Sequence, residues 1–152
     1  MRLSFLIVIL ALFCCSAFSS ETKKNTEAIV IPQNEVKEFS MLGNSILGLA
    51  TKNKGSSQFE VWRSSLPPGS FTPPNHVHTS DEVFIFLKGK GKAIVGGKEK
   101  EFKAPCTVIL PANIPHYYVN TGDEPTDAIV IIGADSKIYD KDKKLMKLPW
   151  RE

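Results

Sequence analysis

The chain of 152 residues is long enough for one domain with a buried hydrophobic core, and this length requires no second domain. Its formal net charge of +3 is too small to indicate a basic surface for nucleic acid or for a membrane, so neither partner class is expected.

Residues 1–19 have the pattern of a secretory signal peptide. Arg2 supplies a short positive region, and residues 3–13 form an apolar run that is too short to span a bilayer. Ala17 and Ser19 have the spacing that signal peptidase recognises. We therefore predict cleavage after Ser19 and a secreted or periplasmic mature protein without a stable membrane span. A buried core helix is the alternative.

The cysteines argue against a disulfide. Cys14 and Cys15 lie in the signal segment, so its removal leaves Cys106 alone and no intrachain disulfide can form. Lipid anchoring through Cys14 or Cys15 is a minority alternative, because the bulky residues beside them argue against it. Cys106 has no basic neighbour on its own strand and is interpreted as a small buried hydrophobic residue rather than as a nucleophile or redox sensor.

Three segments follow the signal peptide. Residues 20–45 begin with polar and charged residues, and a β-branched stretch at 28–31 predicts an edge strand. Residues 46–133 contain dense strand signals separated by turns. Residues 134–152 form a charged tail that also carries apolar residues. The sequence leaves open whether this tail is a short helix or an arm lying on the barrel or on a partner.

The strand pattern of the central segment predicts an all-β sandwich or barrel, because short apolar or alternating runs recur between turn signals. The pair Gly96-Gly97 predicts a tight hairpin. The predicted strands are 46–51, 58–66, 82–88, 93–95, 98–102, 106–110, 115–120 and 126–132.

Two of these strands, 82–88 and 126–132, are apolar on both faces. One face can enter the core, but the other must be covered by something else. The outward residues Val83, Ile85 and Leu87 therefore predict a homodimer, most simply an isologous one. A monomer is the alternative if the N-terminal strand and the tail cover these faces.

The chain has three histidines, and all of them lie in two short segments. His76 and His78 project from the same face of an extended strand, and Glu82 follows after a turn. His116 begins a later strand, which a closed barrel could bring across. Imidazoles with one carboxylate suit a divalent metal that also holds oxygen ligands. We therefore predict that these four side chains bind one transition metal, either Fe, Mn, Ni, Cu or Zn.

Two alternatives remain for the histidine cluster. The histidines could be surface or hydrogen-bonding residues without a metal, or they could form a closed structural zinc site. Their confinement to two segments disfavours the first alternative. Three imidazoles and one carboxylate leave positions open for water or substrate, which suits catalysis at least as well as a structural role.

Residues 69–89 and 111–120 resemble the two motifs of the cupin superfamily. The first contains glycine, His-x-His, glutamate and glycine in the family's order, and the second contains its proline, histidine and asparagine. The resemblance covers roughly residues 46–133 and indicates a small single-domain type-2 cupin. It implies a jelly-roll barrel (double-stranded β-helix) of six to eight strands, with His76, His78, Glu82 and His116 as the metal ligands.

The sequence departs from the family pattern in two places. Six residues rather than five separate Gly69 from His76, and Pro105 and Asn113 stand where the second motif has glycines. Neither departure removes a ligand. Asn113 can adopt the left-handed backbone conformation that a glycine would supply, whereas Pro105 cannot.

The residues near the ligands predict a largely aromatic pocket. If Glu82 faces inward, strand alternation places Phe84 and Phe86 on the same side, and the second motif brings Tyr118 and Asn120. Plain core filling is the alternative, above all for Phe86. We predict that Glu82 and Tyr118 are the catalytic residues, with Glu82 as ligand and proton acceptor and Tyr118 in contact with the small-molecule substrate.

Cupins resembling this one include flavonol dioxygenases, oxalate-handling enzymes, isomerases, decarboxylases and proteins that only bind small molecules. The apolar lining favours an exported protein with dioxygenase-like (quercetinase-like) chemistry on a small organic substrate with oxygen donors. The alternatives are a metal-dependent isomerase or decarboxylase, and a non-catalytic cupin that binds a small molecule or a metal.

Overall fold

A computed structural model describes residues 26–151, so the predicted signal peptide lies outside the described residues. Within this range the helices are three short 3₁₀ turns, Gln33–Glu35, Lys52–Lys54 and Pro149–Arg151, and no helix could cross a membrane. The strands are β1 (Glu38–Met41), β2 (Asn44–Ala50), β3 (Phe59–Ser65), β4 (Val77–His78), β5 (Glu82–Lys88), β6 (Lys90–Val95), β7 (Lys98–Lys103), β8 (Cys106–Leu110), β9 (His116–Asn120), β10 (Asp127–Gly133) and β11 (Ile138–Tyr139).

Two antiparallel sheets and one short strand pair make up the fold. The larger sheet has the order β1-β2-β3-β10-β5-β8, the smaller sheet has the order β7-β6-β9, and β4 pairs with β11. Strands that are distant in sequence therefore lie side by side, as β10 does between β3 and β5. This connectivity is typical of a jelly roll and confirms the predicted all-β jelly-roll barrel.

Aromatic side chains fill the space between the two sheets. Phe86 on β5 is 1% exposed and stacks on Phe102 of β7, with 4.0 Å between ring centroids. It also meets Tyr118 of β9 edge to face at 5.3 Å. Glu82 and Phe84 are buried on the same side of β5, so the predicted inward face of this strand is confirmed.

The predicted edge strand at 28–31 is wrong. These residues have no strand partner, and Val30 is 85% exposed. The edge strand of the segment is β1, because Leu42 and Gly43 have φ values of 51° and 79° and form a two-residue turn that pairs β1 with β2. The hairpin predicted at Gly96-Gly97 is confirmed, with φ values of 56° and 78°.

The tail is an arm that lies on the barrel and not a short amphipathic helix. Its strand β11 pairs with β4, which the sequence analysis did not predict. Farther along, Leu148 and Trp150 are buried, and the Trp150 ring meets Trp62 edge to face at 5.4 Å. The charged residues 140–144, which lie between β11 and Leu148, are mostly exposed. This alternation of exposed charged and buried apolar residues explains the mixed composition of the tail.

Asn113 behaves as the sequence predicted, whereas Cys106 is less buried than predicted. Asn113 has a φ of 62°, in the left-handed region that a glycine would otherwise supply. Cys106 is half-buried, and burial raises the pKa of its thiol, which disfavours the reactive thiolate.

Candidate metal centre

Backbone pairing brings the four predicted ligands to one end of the barrel. His76 and His116 form an isolated β-bridge, in which the His116 amide donates to the His76 carbonyl over 3.0 Å. His78 lies on β4, and Glu82 begins β5, where it is paired with Leu110. The bridge joins the two sequence motifs directly.

The four ligand side chains are buried and close together. Their ligand atoms all lie within 4.8 Å of one another, and the three imidazole centroids are 4.6–4.7 Å apart. His76 is 8% exposed, whereas His78, Glu82 and His116 are between 0% and 3% exposed. The structure thus places all four predicted residues where one ion could contact them.

Two of the imidazoles are oriented by backbone carbonyls. The Nδ1 atom of His76 lies 2.6 Å from the Pro73 carbonyl, and that of His116 lies 2.7 Å from the Ile114 carbonyl. A carbonyl can only accept, so each Nδ1 carries the proton and each Nε2 keeps its lone pair free for a metal.

Three buried polar atoms of the cluster have no hydrogen-bond partner among the described residues. These buried atoms are Nδ1 of His78, Oε2 of Glu82 and Nε2 of His116. The Glu82 oxygen lies 3.5 Å from the His78 nitrogen and 3.7 Å from the His116 nitrogen, too far for short charge-assisted hydrogen bonds. Buried polar groups are rarely left unpaired, and a divalent cation would satisfy all three, so these residues fit a metal.

Burial also sets the protonation states that a metal requires. Loss of solvent, reinforced by the charge of neighbouring histidines, lowers the pKa of His76 to about 4 and that of His78 to about 2. Both imidazoles are therefore neutral at pH 7. Burial raises the pKa of Glu82, and the neighbouring His116 side chain opposes this rise. A bound cation would favour the ionised carboxylate.

The same segment of the chain matches a known family. The cupin domain family model (Cupin_2) matches residues 62–132, which contain all four ligands. Residues 62–132 are therefore similar to a cupin domain. The match is narrower than the predicted range of 46–133, because β2 lies outside it.

Curated relatives of this chain include plant proteins. Auxin-binding protein 1 of Arabidopsis thaliana is 38% identical over 87 residues, which are 51% of this chain and 43% of the relative. Auxin-binding protein T85 of Nicotiana tabacum is 29% identical over 143 residues, 84% of this chain and 75% of the relative. The chain thus spans less than half of the length of the first relative. The polyketide cyclase RemF from Streptomyces resistomycificus superposes with a TM-score of 0.64 at 17% identity, covering 82% of this chain and 91% of that one, and so shares the fold.

The barrel contains a cavity of about 60 Å³ beside the ligands, which is several times the space that one water needs. Phe84 and Tyr118 line it as predicted. Phe86 does not line it and is core filling. Asn120 does not reach it either, because its amide donates to the Leu66 and Glu124 carbonyls over 2.9 and 2.8 Å. The prediction of an amide from Asn120 near the metal is therefore wrong.

Several lining residues were not found from the sequence. Ser64 on β3 donates to Asn44 of β2 over 3.0 Å and lies 3.5 Å from the Tyr118 hydroxyl. Trp62 lies on the same inward face of β3 and could have been found from strand alternation. The tail contributes Ile138, Met146, Leu148 and Trp150, which no local sequence signal assigns to a pocket.

Proposed function

We propose that this protein is a metal-dependent binding protein for a small organic acid. The observation that carries the proposal is the set of unpartnered ligand atoms beside a mostly apolar cavity. A metal held by His76, His78, Glu82 and His116 would supply a Lewis-acidic position for a carboxylate or another oxygen donor. The apolar lining would exclude water and strengthen that contact.

The relatives support binding rather than turnover. The curated relatives are named for what they bind, and a binding protein needs no group placed for proton transfer. The Tyr118 hydroxyl is engaged beside Ser64, and burial raises its pKa, so it stays protonated. Tyr118 can therefore donate a hydrogen bond to a ligand but is poorly suited to act as a base.

Dioxygenase-like chemistry is the second candidate. The aromatic ring of Phe84 and the aliphatic residues around it suit an organic substrate, and the buried Glu82 carboxylate is the group that could accept a proton. In this case Glu82 and Tyr118 would be the catalytic residues. Redox-active Fe, Mn, Ni or Cu would be the required metal, whereas Zn would serve the binding protein equally well.

One set of measurements separates these candidates. Calorimetric titration of the zinc-loaded protein with propionate and butyrate is expected to show one site per chain, lost when the metal is removed. Oxygen consumption by the iron- or copper-loaded protein with catechols, flavonols and diketones is expected to stay at the level of free metal. Acid binding that persists without metal would contradict the binding proposal, and substrate-dependent oxygen uptake would replace it with the dioxygenase.

An exported location and a homodimer belong to the same proposal. The signal peptide and the alternative lipid anchor concern residues outside 26–151 and stay predictions. The dimer is supported by the outward face of β5 and β8, where Ile85, Leu87 and Ile109 are 37%, 52% and 61% exposed. Because β8 is the edge of the larger sheet, two copies could pair there through the same surface.

Light scattering of the mature protein tests the dimer. Ile109→Lys is expected to shift the molar mass from that of two chains to that of one. Leu145→Lys is the matched control, because Leu145 is 62% exposed but lies on the tail. A wild-type protein with the mass of one chain would contradict the dimer.

A further inference from the structure

Two buried tryptophan N–H groups have no hydrogen-bond partner within residues 26–151. Trp62 and Trp150 are 6% and 4% exposed, and the Nε1 atom of each is buried and unpartnered among the described residues. Both side chains line the cavity that His76, His78 and Glu82 also line. A buried indole N–H normally finds an acceptor, so this pair marks a place where an acceptor is missing.

Two neighbouring features hold the chain around Trp150 in place. A Cβ at position 48 would lie 2.7 Å from the Trp150 carbonyl oxygen, which is too close. Only a glycine at this position therefore leaves room for the backbone at Trp150. The next residue, Arg151, pairs with the buried Glu60 at 2.6 Å and donates to two backbone carbonyls at 2.9 Å. Trp62 itself lies in the middle of the larger sheet, between β2 and β10. The two indoles are therefore preorganised before a ligand arrives.

Other polar groups near the cavity already have partners. Ser64 donates to Asn44, and the Tyr118 hydroxyl lies beside Ser64. The Thr72 hydroxyl accepts the Tyr118 amide over 3.0 Å. Apart from the metal ligands, the two indoles are thus the cavity's unpartnered buried groups within residues 26–151, and both are donors.

We propose that Trp62 and Trp150 form a second ligand anchor, so that the protein selects a small acid with a second oxygen acceptor, typified by a dicarboxylate. One carboxylate lies at the metal, and an oxygen at the other end accepts hydrogen bonds from the indoles. This inference rests on the proposed function. An acid that lacks the second acceptor leaves both N–H groups unpaired and is discriminated against.

The experiment uses the fact that the chain has two tryptophans. Zinc-loaded, ¹⁵N-labelled protein gives two indole N–H resonances, which Trp62→Phe and Trp150→Phe assign. We titrate it with malonate against propionate and with succinate against butyrate, so that each pair differs in the second carboxylate. In at least one of the two pairs, the diacid is expected to shift both indole proton resonances downfield. It is also expected to bind at least about tenfold more tightly than the monoacid.

The phenylalanine variants isolate the indole contribution. Each is expected to weaken diacid binding by about tenfold while monoacid binding changes by less than about threefold. Phe84→Leu is the control, because it alters the same cavity without removing a donor and should affect both acids alike. Unshifted indole resonances on diacid binding, or a diacid preference that survives in both phenylalanine variants, would overturn the inference while leaving the metal-dependent site intact. Absence of zinc-dependent binding for all four acids would overturn the proposed function as well.

Discussion

His76→Ala is expected to lower the affinity for a divalent transition metal by more than about 100-fold, because loss of outer-shell partners alone costs 10- to 100-fold. His76 is suitable for this test because it is the most exposed of the four ligands, at 8%. Its backbone carbonyl, which accepts the His116 amide, is kept in the variant, and the hydrogen bond from its Nδ1 to the Pro73 carbonyl is lost. Elemental analysis after dialysis against a metal buffer measures the effect.

Val77→Ala is the control for His76→Ala. Val77 is the next residue along the same stretch, is half-buried and belongs to no ligand set. It should retain about one metal per chain. Equal metal content in wild type and His76→Ala would remove His76 from the ligand set and with it the basis of the proposed function.

Arg151→Ala is expected to destabilise the protein by about 3–5 kcal/mol, the range for breaking a buried ion pair. Glu60 is 1% exposed, and its Oε2 atom lies 2.6 Å from the Arg151 Nε atom. The other two guanidinium nitrogens donate to the carbonyls of Ser136 and Ala134. Truncation would leave the carboxylate without its cation and would release the end of the tail that carries Trp150. Urea unfolding measures the loss.

Two controls show whether burial is the cause. Arg63→Ala breaks a bidentate pair with Asp127 at 2.8 Å, but its side chain is 44% exposed, so a loss below about 1 kcal/mol is expected. Adding Glu60→Gln to Arg151→Ala should recover part of the stability, because it removes the uncompensated charge. A loss no greater for Arg151→Ala than for Arg63→Ala would contradict the account of the tail as an arm held by this pair.

The ligand cluster and most strands could be predicted because their signals are local. β5 and β8 occur with the predicted bounds, since apolar runs and turn residues delimit them within the sequence. The four ligands could be found because histidines are few and the two motifs have a fixed order. The inward face of β5 followed from the single assumption that Glu82 points at the metal.

The errors concern two local turns and one contact between distant segments. β1 depends on a Leu-Gly turn that lacks the usual asparagine or aspartate, so the more apolar residues 28–31 gave the stronger strand signal. Asn120 looked like a pocket residue because it follows Tyr118 by two, but its amide closes the 120–124 turn instead. The docking of Trp150 depends on the space over Gly48, on a strand about a hundred residues earlier, which no local pattern reveals.

A crystal structure of the zinc-loaded protein, with anomalous data collected at the zinc edge, tests the central claim most directly. We predict one anomalous peak per chain at about 2.0–2.2 Å from a ring nitrogen of each of the three histidines and from a carboxylate oxygen of Glu82. A saturating metal that gives no peak between these four side chains, or a peak held by other residues, would contradict it.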